Sequence, residues 1–342
     1  MPAPPPARPR AGRLLLALGL VLLSPLYAES LSGYDVSTGD PLALLGGLLI
    51  LGPLYGCPAL LIRELARRYD VRWPGILALA TAAGLLQAGV IDQSLFSMSY
   101  RDIDYWDDML LPTLIEPLGF APYLAISFVV GHVVWSFGAP IALTEALAGH
   151  RAKTPWLRWP GLLVATMLYL AAAALILGSH LKTEDDHASA AQIGVTLLVV
   201  ALLVAGAFTL GRRPVPTRHE RALPPPYAIG LLSLVGALTF DFLPSTWAGV
   251  TGGAALLAAG AGLLAYVSRS THWDGRYLVA VAGGAVVARA LVAFLATPLG
   301  DVPPLPKYAH NTVFLLGSLA LITWAYRRSR AGRTGRLGAE VA

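Results

Sequence analysis

Two apolar runs stand on either side of an acidic loop: GLLQAGVIDQSLF at residues 84–96 and FAPYLAISFVVGHVVWSFGAPIALTEAL at residues 120–147. They carry Asp92 and His132 at positions where a helix facing lipid would carry only Leu or Val. A charged side chain at the centre of a bilayer costs about 3 kcal/mol or more. We therefore expect this stretch to form the wall of a polar pocket inside a membrane protein.

The composition of the whole chain agrees with a membrane protein. Its 342 residues are 56% hydrophobic and 13% charged, whereas soluble domains carry about 25% charged residues. The mean hydropathy is +0.62, and the apolar residues come in runs of roughly 20, the length that spans a hydrocarbon core. The sequence predicts an all-α fold, a polytopic transmembrane helical bundle of about ten helices.

The basic residues predict the orientation of this bundle. Of the 25 Lys and Arg residues, 21 fall in alternate loops and tails, as the positive-inside rule requires. Both termini are therefore expected in the cytoplasm, and the net charge of +5 reflects topology, with no nucleic-acid partner implied. The lipid bilayer is the expected partner, and the bacterial plasma membrane the expected location.

Cysteine and motif usage exclude several classes of site. The single cysteine, Cys57, lies in an apolar run and reads as a small core residue. Neither a zinc motif nor a nucleotide-binding loop is present in the sequence. We therefore predict no metal and no cofactor.

The chain divides into five predicted regions. A disordered basic N-terminus and a basic cytoplasmic tail flank two groups of helices, six in the first group and four in the second, with a Pro- and Arg-rich linker between the groups. These regions are residues 1–12, 13–210, 211–226, 227–326 and 327–342.

Local sequence adds expectations for particular helices. Pro53 and Pro58 should kink or break the second helix, and irregular backbone at membrane depth is tolerated only against protein or a water-filled cavity. Tyr55 is thus a candidate lining residue. Rows of small residues on the helices 247–267 and 277–299 predict that these two helices pack as a pair.

Aromatic residues also suggest where the membrane surfaces lie. Trp73, Trp156, Trp159 and Trp273 are expected at the inner interface, with Trp106 and Trp247 at the outer interface. Two alternatives stand for the acidic aromatic loop that contains Trp106: it caps the pocket, or it is a short amphipathic segment at the outer interface.

Four ionisable residues lie at membrane depth: Asp92, His132, Asp241 and Arg289. Arg289 needs an anionic partner, and Asp241 or Asp92 is the candidate. Ser136 shares a helix face with His132 at i, i+4. The predicted ligand-binding residues are these five with Tyr55. His132 and Asp92 are the only catalytic candidates. A purely structural ion pair and a hydrogen-bonded bundle histidine are the alternatives.

The motifs LYGCPALLIRELARR, GLLQAGVIDQSLF and HVVWSFGAPIALTEAL resemble an uncharacterised group of bacterial multi-spanning proteins, commonest in actinobacteria, over residues 13–147. More distantly, Phe128-x-x-x-His132 after the helix of Gln87 resembles the CAAX-protease and bacteriocin-processing membrane family. That family uses a Glu-Glu pair, and the resemblance implies that it would stand at Gln87 and Ala88. By the 3.6-residue period, Asp92 lies about 140° around the helix from Gln87.

Three functional hypotheses follow. The first is an outward-opening pocket for binding, transport or sensing of a small molecule, ion or lipid. The second is a membrane-embedded hydrolase related to the CAAX proteases, without the Glu-Glu pair. The third is a structural subunit whose polar residues only fasten helices together. The sequence names neither the ligand nor the oligomeric state.

Overall fold

The computed structural model describes residues 10–213 and 219–340, and within them the chain forms helices, turns and two isolated β-bridges. The all-α helical bundle is confirmed. Ten long helices run α1 Gly12–Ser30, α2 Pro41–Arg68, α3 Trp73–Ile91, α4 Pro122–Arg151, α5 Trp159–Thr183, α6 Ala190–Arg212, α7 Pro226–Asp241, α8 Trp247–Val267, α9 Gly275–Val292 and α10 Pro304–Glu340.

Eight of these ten helices are long and apolar enough to cross a membrane, judged by length and composition over the described residues. The exceptions are α7, with 16 residues, and α10, with 37 residues. Helix α10 continues to Glu340, whereas the sequence predicted that the last helix ends at Tyr326. Of the predicted N-terminus and linker, residues 1–9 and 214–218 lie outside the described part of the chain.

Loops that the charge pattern assigns to the same side of the membrane lie together at one end of the bundle. At the end predicted to be cytoplasmic, the amide of Arg72 donates to the carbonyl of Gly211 at 2.9 Å. At the opposite end, the amide of Leu299 donates to the carbonyl of Tyr34 at 2.6 Å. We call these the inner end and the outer end. The side of the membrane that each end faces stays a prediction.

Four helices contain a π-helical segment, in which backbone hydrogen bonds join residues five apart. The segments are Leu26–Ser30 in α1, Gly52–Gly56 in α2, Gln87–Ile91 in α3 and His132–Gly138 in α4. The segment in α2 includes Pro53, whose ring cannot fit a regular α-helix without loss of a hydrogen bond. Such segments are frequent at functional sites.

The predicted pairing of the two small-residue helices is wrong. Helix α9 packs instead against α7, where a Cβ placed on Gly284 would lie 2.2 Å from the carbonyl oxygen of Gly230. The hydroxyl of Ser233 on α7 donates to the carbonyl of Val281 on α9 at 2.7 Å. Helix α8 is mostly exposed. A row of small residues permits close approach but does not specify the partner, and α7 supplies the matching glycine.

Replacement of Gly284 by alanine should separate α7 from α9. The new methyl group would meet backbone atoms of Gly230 and Leu234, which cannot rotate away as a side chain can. We expect the free energy of unfolding to fall by about 1–3 kcal/mol, measured by denaturation in mixed micelles. Gly236→Ala on α7 is the matched control, because no heavy atom lies within 4 Å of its added Cβ. Equal stability of the two variants would contradict this packing.

Two predicted interfacial tryptophans are buried, contrary to expectation. Trp106 is 3% exposed and Trp156 is 4% exposed, because each donates its indole N–H to a backbone carbonyl inside the fold. Trp159 and Trp247 are exposed, as expected for belt residues. Helices α5 and α6 are also mostly exposed, as expected of helices that face lipid.

Candidate functional site

A single cavity at the outer end gathers all six residues that the sequence singled out. Its volume is about 870 Å³, and its wall includes Tyr55, Asp92, His132, Ser136, Asp241 and Arg289. These residues come from α2, α4, α7 and α9 and from the residue that follows α3. All four π-helical segments contribute to the same wall. The convergence of these side chains is observed, and their role in ligand binding stays a prediction.

Glu29, which directly follows the first apolar run of the sequence and was not among the predicted site residues, lies in the cavity wall. It is part of the π-helical end of α1. The hydroxyl of Tyr55 donates to its Oε1 and the hydroxyl of Tyr34 donates to its Oε2, each at 2.5 Å. Burial, together with the nearby Glu29 carboxylate, raises the pKa of Tyr34 well above its ordinary value. Tyr34 therefore stays protonated and remains a hydrogen-bond donor.

His132 begins the π-helical segment of α4 and is 8% exposed. Its Nδ1 lies 2.7 Å from the carbonyl oxygen of Phe128. Because a carbonyl only accepts, Nδ1 carries the hydrogen, and in the neutral ring Nε2 carries a lone pair. Nε2 is buried without a hydrogen-bond partner. A Cβ on Gly84 would lie 2.8 Å from the His132 Cβ, so this position on α3 admits only glycine without a shift.

The π-helical segment of α3 brings Gln87 and Asp92 together. The Gln87 amide donates to Asp92 Oδ2 at 3.1 Å, and the amide of Ser94 donates to Oδ1 at 3.0 Å. The predicted separation of about 140° is wrong, because it assumed α-helical geometry. A hydrogen bond from residue i+5 to residue i places the two on one side of the helix.

Arg289 pairs with Asp241, one of its two predicted partners. The Arg289 Nη1 atom lies 3.1 Å from Asp241 Oδ1, and the side chains are 29% and 6% exposed. The guanidinium also lies 5.0 Å from the ring centroid of Trp135. Asp241 Oδ2 is buried and has no partner. The pair thus leaves one carboxylate oxygen with unused capacity to accept a hydrogen bond.

The acidic aromatic loop forms the roof of the cavity, which favours the capping alternative. Trp106 begins a single helical turn, Trp106–Leu110, and packs against Tyr100 and Phe128 with ring centroids 5.2 and 6.0 Å away. Burial, together with the charge of Asp92, raises the pKa of Tyr100 well above its ordinary value. Asp186 fastens the loop to the next outer connection by accepting from Ser97 Oγ at 3.0 Å.

The sequence profile of a family described only as an uncharacterized membrane protein family matches residues 18–272. The chain belongs to this family. Among curated proteins and among solved structures, nothing matches the chain. The protein is thus a multi-pass membrane protein of an uncharacterised family, and the match does not support the resemblance to CAAX proteases.

The family profile covers α1 to α8 and ends before α9. Asp241 lies within the matched residues and Arg289 lies outside them, so their ion pair joins the family region to the last part of the chain. At the positions of the protease carboxylates, Gln87 donates to Asp92 and Ala88 is fully buried. Neither side chain can accept a proton from water.

The family region also contains a buried charged network at the inner end, which we call the inner network: Arg63, Glu64, Arg67 and Glu145. Arg63 and Glu64 are fully buried, and Arg63 Nη1 lies 2.6 Å from Glu64 Oε1. Glu145 on α4 accepts from Arg67 through both of its oxygens. The arginines of this RELARR segment are among the 21 basic residues counted above in loops and tails, whereas in the structure α2 extends to Arg68.

We also looked for side chains that could hold a metal ion. Among the described residues, no group of three or more His, Cys, Asp or Glu side chains is arranged to hold a metal ion. Cys57 is buried in the core, as predicted. The chemistry available in the cavity is therefore that of carboxylates, two guanidinium groups, imidazoles and aromatic rings.

Proposed function

We propose that the cavity is a binding site for a small or lipid-derived ligand that enters from the outer side, as in transport or sensing. The observation that carries this proposal is the convergence of six polar residues from distant parts of the chain on one cavity of about 870 Å³. Ligand pockets in proteins have volumes of about 300–1,000 Å³. Ionisable residues at membrane depth commonly mark ligand and ion pathways.

The two ends of the bundle differ in a way that supports an outward opening. The cavity reaches Glu29, Tyr34 and Arg101 at the outer end. The inner network joins α2 and α4 at the inner end through the buried side chains of Arg63 and Glu145. A ligand therefore meets polar groups from outside and a closed, charged layer on the inner side.

Hydrolysis has less support. A hydrolase of the CAAX type needs a carboxylate pair to activate water, and this chain has Gln87 and Ala88 at those positions. Two catalytic candidates remain. The ring of His132 lies 5.8 and 6.3 Å from the rings of Tyr55 and Phe137, and both carboxylate oxygens of Asp92 already accept hydrogen bonds, from Gln87 and from the amide of Ser94. We therefore propose binding in preference to catalysis.

Cysteine accessibility tests the proposed opening. In a Cys57→Ala background, Ser127→Cys and Ser136→Cys each place one thiol in the cavity wall. We expect both to react with a membrane-impermeant cationic methanethiosulfonate (MTSET) applied outside intact cells. Leu198→Cys, on the exposed face of α6, should stay unmodified because it faces lipid.

Ser99→Cys in the exposed part of the outer loop is the positive control for this experiment. Reaction at Ser99→Cys without reaction at either cavity position would refute an outward-open cavity. Reaction at the cavity positions only in inverted vesicles would show that the predicted orientation is reversed.

A further inference from the structure

The geometry points to a ligand that carries a protonated amine with N–H donors, held between the acceptor atoms of His132 and Asp241. The inference rests on the proposed function, because it names the chemistry of the molecule that the cavity takes. It is carried by the charge of the wall, by the unpaired buried atoms and by the aromatic side chains around them.

The wall has a surplus of negative charge. It contains five carboxylates, Glu29, Asp35, Asp92, Glu184 and Asp241, and two guanidinium groups, those of Arg101 and Arg289. With neutral histidines, the formal charge of the wall is −3. A wall of one sign in a low-dielectric setting concentrates ligands of the opposite sign.

Three buried atoms of the wall lack a hydrogen-bond partner: His132 Nε2, His180 Nε2 and Asp241 Oδ2. Asp241 Oδ2 is an acceptor, and His132 Nε2 is an acceptor in the neutral ring. With Nδ1 donating to Phe128, His132 Nε2 carries the lone pair of the neutral ring, and the side chain is more than nine-tenths buried. A buried acceptor without a donor destabilises the protein. An ammonium group has three donors and no acceptor, so it can donate to either atom.

Aromatic rings supply a second kind of attraction for a cation. The ring of Tyr55 lies 5.8 Å from that of His132. Tyr100 and Trp106 in the roof form a continuous set of rings with Phe128 in the wall. A cation within about 6 Å of the centroid of such a ring is attracted to its electron-rich face. Because Glu29 holds the hydroxyl of Tyr55, that ring is kept in one orientation.

An anionic ligand is disfavoured by the positions of the two arginines. The guanidinium of Arg289 already pairs with Asp241 and lies near the ring of Trp135. Arg101 is exposed at the rim, and its backbone amide donates to Glu184. An anion at Arg289 would therefore compete with Asp241, which is already in place, and the charge of Arg101 at the exposed rim is screened by solvent and salt.

Three probes of the same size separate the ligand classes: 2-phenylethylamine, 2-phenylethanol and phenylacetate, which are cationic, neutral and anionic at pH 7. We expect the amine alone to raise the thermal midpoint of the wild-type protein and to slow MTSET modification of Ser127→Cys about tenfold. In Asp241→Asn, the amine concentration for half-maximal effect should rise at least about tenfold, because a charge-assisted hydrogen bond becomes a neutral one.

Asp185→Asn, in an exposed loop outside the cavity, is the matched control and should respond to the amine like the wild type. Equal effects of the alcohol or the acid, or no effect of the amine on a Ser127→Cys protein that does react, would overturn the ligand class and leave the proposed function standing. An unchanged half-maximal concentration in Asp241→Asn would remove Asp241 from the site. If neither Ser127→Cys nor Ser136→Cys reacts, the proposed function itself fails.

Discussion

Glu64→Gln should lower the free energy of unfolding by about 3–5 kcal/mol, the usual effect of breaking a buried ion pair. The carboxylate is fully buried and accepts from Arg63 Nη1 at 2.6 Å and from the backbone amides of Trp156 and Leu157 at 2.7 and 3.0 Å. Glutamine fits the space but can accept through only one oxygen. It leaves Arg63, which is also fully buried, with less compensating negative charge.

The measurement is denaturation in mixed micelles followed by tryptophan fluorescence. Glu116→Gln is the matched control, since Glu116 is exposed in the outer loop, and it should change stability by less than about 0.5 kcal/mol. A loss below 1 kcal/mol in Glu64→Gln would mean that the inner network contributes little to holding α2 against the connection after α4.

Asp241→Leu should destabilise the protein by about 2–3 kcal/mol, whereas the double variant with Arg289→Leu should recover to within about 1 kcal/mol of the wild type. Removal of one partner leaves a charge at membrane depth, and replacement of both by apolar residues removes the problem. We expect Asp241→Leu to lower the free energy of unfolding less than Glu64→Gln does, because the side chain of Arg289, the remaining charge, is 29% exposed.

The same double variant separates a binding role from a structural one. If the pair only fastens α7 to α9, the double variant keeps every function of the protein. If Asp241 receives a ligand, the double variant is stable but no longer responds to 2-phenylethylamine. A stable double variant with an unchanged amine response would assign the pair to structure alone.

The sequence was sufficient to find most of the cavity because polar residues are rare in apolar helices. Asp92, His132, Asp241 and Arg289 are conspicuous for this reason, and all four line the observed cavity. Pro53 pointed to irregular backbone in α2 by the same kind of argument, because proline is costly within a helix. In each case one residue departs from its surroundings strongly enough to be noticed without a structure.

Glu29 and the inner network were missed because their surroundings hide them. Glu29 follows the apolar run of α1 and looks like the first residue of a loop, while in the structure one more helical turn carries it into the wall. The arginines of α2 fit the positive-inside pattern so well that their burial could not be read from the sequence. Glu64, next to Arg63, could have indicated a buried ion pair, because exposed residues that set the topology need only be positively charged.

Helix partners and helix phase could not be predicted for a physical reason. Small residues on α9 predict that another helix packs closely against it. They do not identify that helix, because the complementary Gly230 on α7 is one of many glycines in the chain. The position of Asp92 relative to Gln87 depended on a hydrogen-bond pattern that leaves no periodic trace within five residues.

The four π-helical segments change the helical phase of α1, α2, α3 and α4, and therefore which residues share a face on a helical wheel. Each segment closes its rings with an extra residue, so the helix beyond it is turned by about 100° relative to an uninterrupted α-helix. The stripe that packs in the bundle and the stripe that faces the cavity are therefore out of phase along α2 and α4. One helical wheel drawn over the whole of either helix therefore places residues of the packing face and of the cavity face together. Insertion or deletion of one residue in the π-helical segment would change the angle between these two faces.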